Sequence, residues 1–186
     1  YAELHVETNR VANFLKSVGV ERGDFVALYM PMIPELIPIF FAILKIGAVV
    51  VPIFSGFGAE AVTARFNDAR VKVVFTADGT LRRGKPVPLK KMLDDSLVST
   101  PSVAKCIVVR RLFSKNVPMT EGRDFFYDDV VPSQSDTCIT EEVPSDHTSL
   151  VIYTSGTTGK PKGTVHTHAG VLAQVSKEFH FHFDIK

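Results

Sequence analysis

The sequence predicts an α/β fold built on a mostly parallel β-sheet with crossover helices. Two patterns alternate along its first half. Short apolar runs bounded by turn residues recur at Phe25-Val26-Ala27-Leu28-Tyr29, Val49-Val50-Val51 and Val73-Val74-Phe75-Thr76, as buried strands do. The stretches between them carry apolar residues at helical spacing, so the order β-α-β-α-β favours a parallel sheet with helical crossovers. With 186 residues, 45% hydrophobic and 22% charged, the chain has enough apolar material for one sizeable core or two small ones.

In chain order, Leu4, Val11, Phe14, Leu15 and Val18 fall on one helical face and Gly19 stands where a helix would end, which predicts an amphipathic helix over residues 2–18. Glu21-Arg22-Gly23-Asp24 turns the chain into the first strand, bounded by Pro31. Pro34 suits the first turn of a helix over 34–46, with Pro38 near its start and Gly47 after it. Residues 49–51 form the next strand. Ala59, Val62, Phe66 and Ala69 share a face of a helix over 59–69, and residues 73–76 follow as a strand. The polar, basic stretch 78–85 reads as a surface loop, and the Ser/Thr/Pro stretch 99–102 as a linker before a strand at 106–109. Residues 114–147, with Pro132 and Pro144, read as connecting structure with a short helix near 124–130. Leu150-Val151-Ile152-Tyr153 is an apolar run expected as a buried strand, residues 164–167 as another strand, and 169–177 as a helix.

Composition excludes several classes. The formal net charge of +1 gives no reason to expect nucleic acid or an anionic membrane as partner, so any anion site is local. Cys106 and Cys138 are isolated, which argues against a disulfide framework or zinc site and makes a reducing cytoplasmic setting the default. The most apolar stretch, 25–54, carries Glu35 and Lys45 and four prolines, so it lacks the roughly 20 apolar residues of a membrane helix. No signal peptide is visible at the start. His166 and His168, like His180 and His182, would share a face of a strand, but no Cys, Asp or Glu is arranged with them, and no metal site is expected.

The chemistry concentrates at Thr154-Ser155-Gly156-Thr157-Thr158-Gly159-Lys160-Pro161-Lys162-Gly163. Three glycines allow successive N–H groups to converge on one anion, four hydroxyls add donors, and Lys160 and Lys162 add positive charge. Pro161 biases Lys160 away from the helical region and keeps the loop open. A donor-rich loop leaving a strand end is a common anion site in α/β proteins. The spacing is not that of a Walker A loop. A flexible Gly/Ser/Thr surface turn is the alternative that composition alone leaves open.

Tyr153 to Gly163 as a whole resembles the signature of the adenylate-forming superfamily, which takes in acyl-CoA synthetases, luciferases and peptide-synthetase adenylation domains. The run from Phe25 to Phe54, Gly56-Phe57-Gly58-Ala59-Glu60-Ala61, and Thr76-Ala77-Asp78 with Pro86-Val87-Pro88-Leu89-Lys90 are similar to the acetyl-CoA and propionyl-CoA synthetase branch. The resemblance implies an AMP-forming ligase that joins a small carboxylate to the α-phosphate of ATP, brought in with Mg²⁺, and then passes the acyl group to coenzyme A. It implies phosphate binding by Thr154, Ser155, Gly156, Thr157, Thr158, Gly159 and Lys162, with Gly159 serving backbone geometry. It also implies coenzyme A binding by Phe54, Ser55, Gly56, Arg82 and Lys85, where Ser55 stands for a glycine and Lys85 for an arginine of the branch, and Arg83 is an extra cation. A solvated charged loop is the bland reading of Arg82, Arg83 and Lys85.

By the same resemblance residues 1–186 are expected to be a fragment of the N-terminal AMP-binding domain, truncated at both ends, with the C-terminal domain and its catalytic lysine absent. No residue of the chain is therefore assigned a catalytic role, and the 186 residues alone are expected to be inactive. An aryl- or longer-chain acyl-CoA ligase and a non-catalytic nucleotide- or CoA-binding module are the alternatives. A dinucleotide-binding oxidoreductase is disfavoured, because no G-x-G-x-x-G follows the first strand.

Overall fold

In the computed structural model, which describes residues 1–113, 116–155 and 161–183, fifteen elements fold around one seven-stranded sheet. They are α1 (Ala2–Ser17), β1 (Phe25–Tyr29), α2 (Leu36–Lys45), β2 (Val49–Pro52), α3 (Ala59–Ala69), β3 (Val73–Ala77), β4 (Thr80–Arg82), β5 (Lys85–Val87), α4 (Leu89–Leu97), β6 (Lys105–Val109), β7 (Asp124–Phe126), α5 (Tyr127–Val130), β8 (Thr148–Ser155), β9 (Pro161–Thr167) and α6 (His168–His182). The sheet order is β7-β6-β3-β1-β2-β8-β9, parallel throughout except for the last pair.

From β1 the chain steps one way to β2 and then crosses back over β1 to β3. Right-handed crossovers in opposite directions place α2 and α3 on opposite faces. The contacts agree, since α1 packs on α2 and α3 on α4. Covered on both faces, β1, β2, β3 and β6 are buried almost throughout, which is why their sequences are continuous apolar runs and do not alternate. Phe66 and Phe75 are fully buried between the layers.

Several sequence expectations are corrected. Residues 78–85 are not a plain loop: β4 and β5 form an antiparallel hairpin across Arg83 and Gly84, whose φ values of 50° and 75° match the twist of a two-residue turn. Asp78, buried beneath it, accepts from the backbone N–H groups of Gly79, Arg111 and Leu112 at 2.8–2.9 Å and so ties the hairpin to the chain after β6. The helix α4 was not anticipated, although Leu89, Leu93 and Leu97 are its buried stripe. The short helix expected over 124–130 is confined to 127–130, because residues 124–126 pair with β6. The run 150–153 is only half buried: Leu150 and Val151 are inside, while Ile152 is 39% exposed. Finally, α6 extends through His182, so His180 and His182 lie on a helix, and His168 opens that helix while His166 lies in β9.

The connecting segment before β8 lies as a strap across α1 and α2. Asn9 Nδ2 donates to the Asp136 carbonyl at 2.6 Å, Asn13 Nδ2 to Ser135 at 2.8 Å, and Lys45 Nζ to Thr140 Oγ1 at 2.7 Å. A buried ion cluster fastens α4 to β7. Lys90, 1% exposed, reaches Asp94 at 2.7 Å, Asp124 at 2.8 Å and the Pro118 carbonyl at 2.9 Å, and Arg123 bonds both carboxylates. Burial pushes the Asp124 carboxyl up, but its bonds from Arg123 and Lys90 hold it below the usual carboxylate range.

Candidate functional site

All six parallel strands end on one side of the sheet, and the residues singled out from sequence follow those ends. β2 leads into the Phe54–Phe57 turn, β3 into the β4–β5 hairpin, and β8 into the glycine-rich loop. Loops at the carboxyl ends of such strands are where this architecture binds ligands.

The first cluster is built on the Phe54–Phe57 turn. Tyr29, at the end of β1, donates its hydroxyl to the Phe57 carbonyl at 2.8 Å and fixes the turn against the sheet. Burial holds the Tyr29 phenol above its ordinary pKa, with the Arg82 charge opposing. Phe54, 59% exposed, stands edge-on to Phe57 with ring centres 5.6 Å apart, and the Arg82 guanidinium lies 5.6 Å from the Phe54 ring centre. A β-carbon at Gly56 would meet the Phe54 ring and stand 2.6 Å from Arg82 Nη2, so the ends of these two side chains lie directly against the Gly56 backbone. Phe54 and Gly56 therefore meet Arg82, which lies 26 residues further along the chain. Arg82 and Lys85 are direct cross-strand partners in the hairpin, and with Arg83 they line a solvent-open recess that also includes Pro86 and Val87. Three exposed cations beside an exposed aromatic face suit a phosphorylated aromatic ligand. Arg83 belongs to this recess although sequence reading treated it as an extra cation.

The second cluster is the stem of the glycine-rich loop. Thr154 faces Lys162 across the β8–β9 ribbon and Ser155 faces Pro161, so a hydroxyl and an ammonium-bearing side chain are cross-strand neighbours where the loop begins. Gly156, Thr157, Thr158, Gly159 and Lys160 lie outside the described residues. The ring of Tyr153, just before the stem, rests over Gly163, where an added β-carbon would stand 3.4 Å from it. Its hydroxyl donates to Asp68 Oδ2 of α3 at 2.6 Å. Burial raises the Tyr153 phenol, and the bond to the Asp68 carboxylate raises it further.

Between the clusters runs an apolar cleft of about 490 Å³, whose lining includes Leu28, Met30, Phe40, Phe57, Arg65 and Tyr153. Sequence reading did not single out Arg65, because one arginine in an amphipathic helix carries no signal. Among the described residues no group of three or more His, Cys, Asp and Glu is placed to hold a metal ion, and no helix is long and apolar enough to cross a membrane.

Fold and site together define a parallel α/β domain with polar and cationic loops gathered at the carboxyl edge of its sheet, the class in which such loops meet phosphorylated ligands. The chain belongs to the AMP-binding enzyme family, whose model matches residues 1–185. Among curated proteins it is 49% identical over 170 residues to an acetyl-coenzyme A synthetase of Methanothrix thermoacetophila, covering 91% of this chain and 26% of that protein. It is 46% identical over its whole length to an acetyl-coenzyme A synthetase of Streptomyces avermitilis, covering 28% of that protein. Among solved structures it superposes on an acetoacetyl-CoA synthetase from Streptomyces lividans with a TM-score of 0.90 at 29% identity, covering 99% of this chain and 28% of that one. The chain thus spans little more than a quarter of the length of these relatives.

Proposed function

We propose that the chain forms part of the N-terminal domain of an ATP-dependent, AMP-forming acyl-CoA synthetase that activates a small carboxylate of acetate or propionate size. In the first step a carboxylate oxygen attacks the α-phosphorus of ATP and pyrophosphate leaves, giving an acyl-adenylate. In the second the coenzyme A thiol attacks the acyl carbon and AMP leaves. In this reading the backbone and hydroxyls of Thr154, Ser155, Gly156, Thr157 and Thr158 hold the ATP phosphates, Gly159 shapes the loop, and Lys162 neutralises charge that would otherwise oppose the in-line geometry. Mg²⁺ arrives bound to ATP. Phe54, Ser55 and Gly56 receive the adenine of coenzyme A, and Arg82 and Lys85, helped by Arg83, bind its phosphates. The work is cytoplasmic, in keeping with Cys106 and Cys138 being free thiols.

The observation that carries the reading is the meeting of Phe54, Gly56 and Arg82 on the same sheet edge as the Thr154–Lys162 pair. Calorimetric titration of the chain with MgATP and with coenzyme A tests it. Replacing Thr157 and Thr158 together by alanine should weaken MgATP at least about tenfold, since hydrogen bonds to charged groups are each worth about 1.5–3 kcal/mol. Replacing Arg82 and Lys85 by serine should weaken coenzyme A by a similar factor and spare MgATP. A wild-type chain that binds neither ligand would remove the reading. Mixed with ATP, Mg²⁺, acetate and coenzyme A, the chain alone should make no acetyl-CoA above a protein-free control.

A further inference from the structure

The two clusters are joined by a continuous file of two cations and three rings. It runs from Arg82 to Phe54 at 5.6 Å, from Phe54 to Phe57 at 5.6 Å, from Phe57 to the Arg65 guanidinium at 4.3 Å, and from Arg65 to Tyr153 at 5.9 Å. Tyr153 is itself fixed by Asp68 and Gly163 one residue before the loop stem. Arg65 is the only member of this file that touches both halves.

Its surroundings are unusual for a charged side chain. Arg65 is 8% exposed, its Nη1 donates to the Ala61 carbonyl at 2.6 Å, and its buried Nε has no partner. Among the described residues no carboxylate forms an ion pair with it, and Asp68, one helical turn on, is taken by the Tyr153 hydroxyl. No carboxylate holds the guanidinium in place, so what fixes it are the Ala61 carbonyl and the rings it lies against at the wall of the cleft. A planar guanidinium does offer two faces to aromatic rings, which neither lysine nor methionine reproduces.

We infer that Arg65 is a positioning residue that sets the spacing between the Phe54–Phe57 turn and the stem of the glycine-rich loop, so that occupancy of one is felt at the other. The inference rests on the coenzyme A and ATP-phosphate reading of the two clusters. A ligand that orders Phe54 against Arg82 fixes Phe57, hence the Arg65 plane, hence Tyr153 and the Thr154 stem. Coupling of this kind is reciprocal: MgATP must change the affinity for coenzyme A by the same factor as coenzyme A changes that for MgATP.

The test is a four-sided calorimetric cycle on the wild-type chain, Arg65→Met and Arg65→Lys, measuring each ligand's affinity with and without the other. The wild type should show linked affinities, by about fivefold or more. Arg65→Met should bring the linkage factor close to one, and Arg65→Lys, which keeps the charge but not the plane, should recover only part of it. A role confined to packing would shift folding midpoints or both affinities and leave the factor alone. If the wild type binds neither ligand, the reading of the clusters fails and this inference with it. If both bind but the factor is one in the wild type, or survives in Arg65→Met, the inference alone is overturned.

Discussion

The strands from β7 to β2 and the β8–β9–α6 end of the molecule are held together in different ways. In the first region helices cover both faces of the sheet, and β1, β3 and β6 bury nearly every side chain. In the second, β9 shows most of its side chains to water and α6 buries none. That end joins the sheet where Leu150 of β8 pairs with Val50, and beyond this it is tied by Tyr153 to Asp68 and stiffened within by Ser149 Oγ to the His166 carbonyl at 2.9 Å, the His168 amide to the His147 carbonyl at 3.1 Å, and Thr167 Oγ1 capping α6. Stability thus resides in the parallel layers, while the β9 strand and α6 helix that follow the glycine-rich stretch bury little.

Substitutions ranked by expected effect test that division. Phe66→Ala, in the fully buried layer between α3 and the sheet, should cost about 3–5 kcal/mol in urea unfolding. Lys90→Met should cost about 3 kcal/mol, because it leaves the Asp94 and Asp124 carboxylates without their buried partner. On the ribbon, Gly163→Ala places a β-carbon 2.9 Å from Val151 Cγ1 and should cost about 1–2 kcal/mol. Tyr153→Phe, losing the bond to Asp68, should cost about 1 kcal/mol and appear mainly as faster amide exchange in β8 and β9. If Tyr153→Phe lowers the global midpoint as far as Phe66→Ala, the two regions are not separate.

The smallest effect concerns His168. Burial lowers its pKa first, and the stacked His147 ring 6.0 Å away lowers it further. The unfolded chain therefore takes up this proton before the folded one does. The contribution of neutral His168 is complete above the unfolded pKa near 6.5 and is lost as pH falls from there through the folded value. Urea midpoints measured from pH 7.5 down to 5 should fall less steeply for His168→Gln than for the wild type, and equal slopes would rule this out.

Legibility in the sequence followed the same division. The strands at 25–29, 49–51, 73–76 and 106–109 could be read because burial on both faces demands unbroken apolar runs. The helix α4 has a regular stripe of Leu89, Leu93 and Leu97 but also buries Lys90, which is inside only by virtue of Asp94 and Asp124, and no local pattern announces that. The hairpin β4–β5 hid in a basic stretch whose only local sign was Arg83-Gly84. Of the residues tied to the site, Phe54, Ser55, Gly56, Arg82 and Lys85 came from a resemblance, and the structure brings Phe54, Gly56 and Arg82 into contact and sets Lys85 opposite Arg82. Arg65 carried no sequence signal, since its partners Phe57 and Tyr153 lie 8 residues before it and 88 after it.

The adjacent lysines of α4 provide a built-in reporter of the folded state. Lys91 is exposed, whereas Lys90 is enclosed with its ammonium donating to two carboxylates and a carbonyl. An amine attacks an acylating reagent only when it is deprotonated and accessible, so brief labelling of the native chain will mark Lys91 and pass over Lys90. The ratio of the two labels within a single peptide then reads out, residue by residue and without any ligand, how often α4 lifts away from β7.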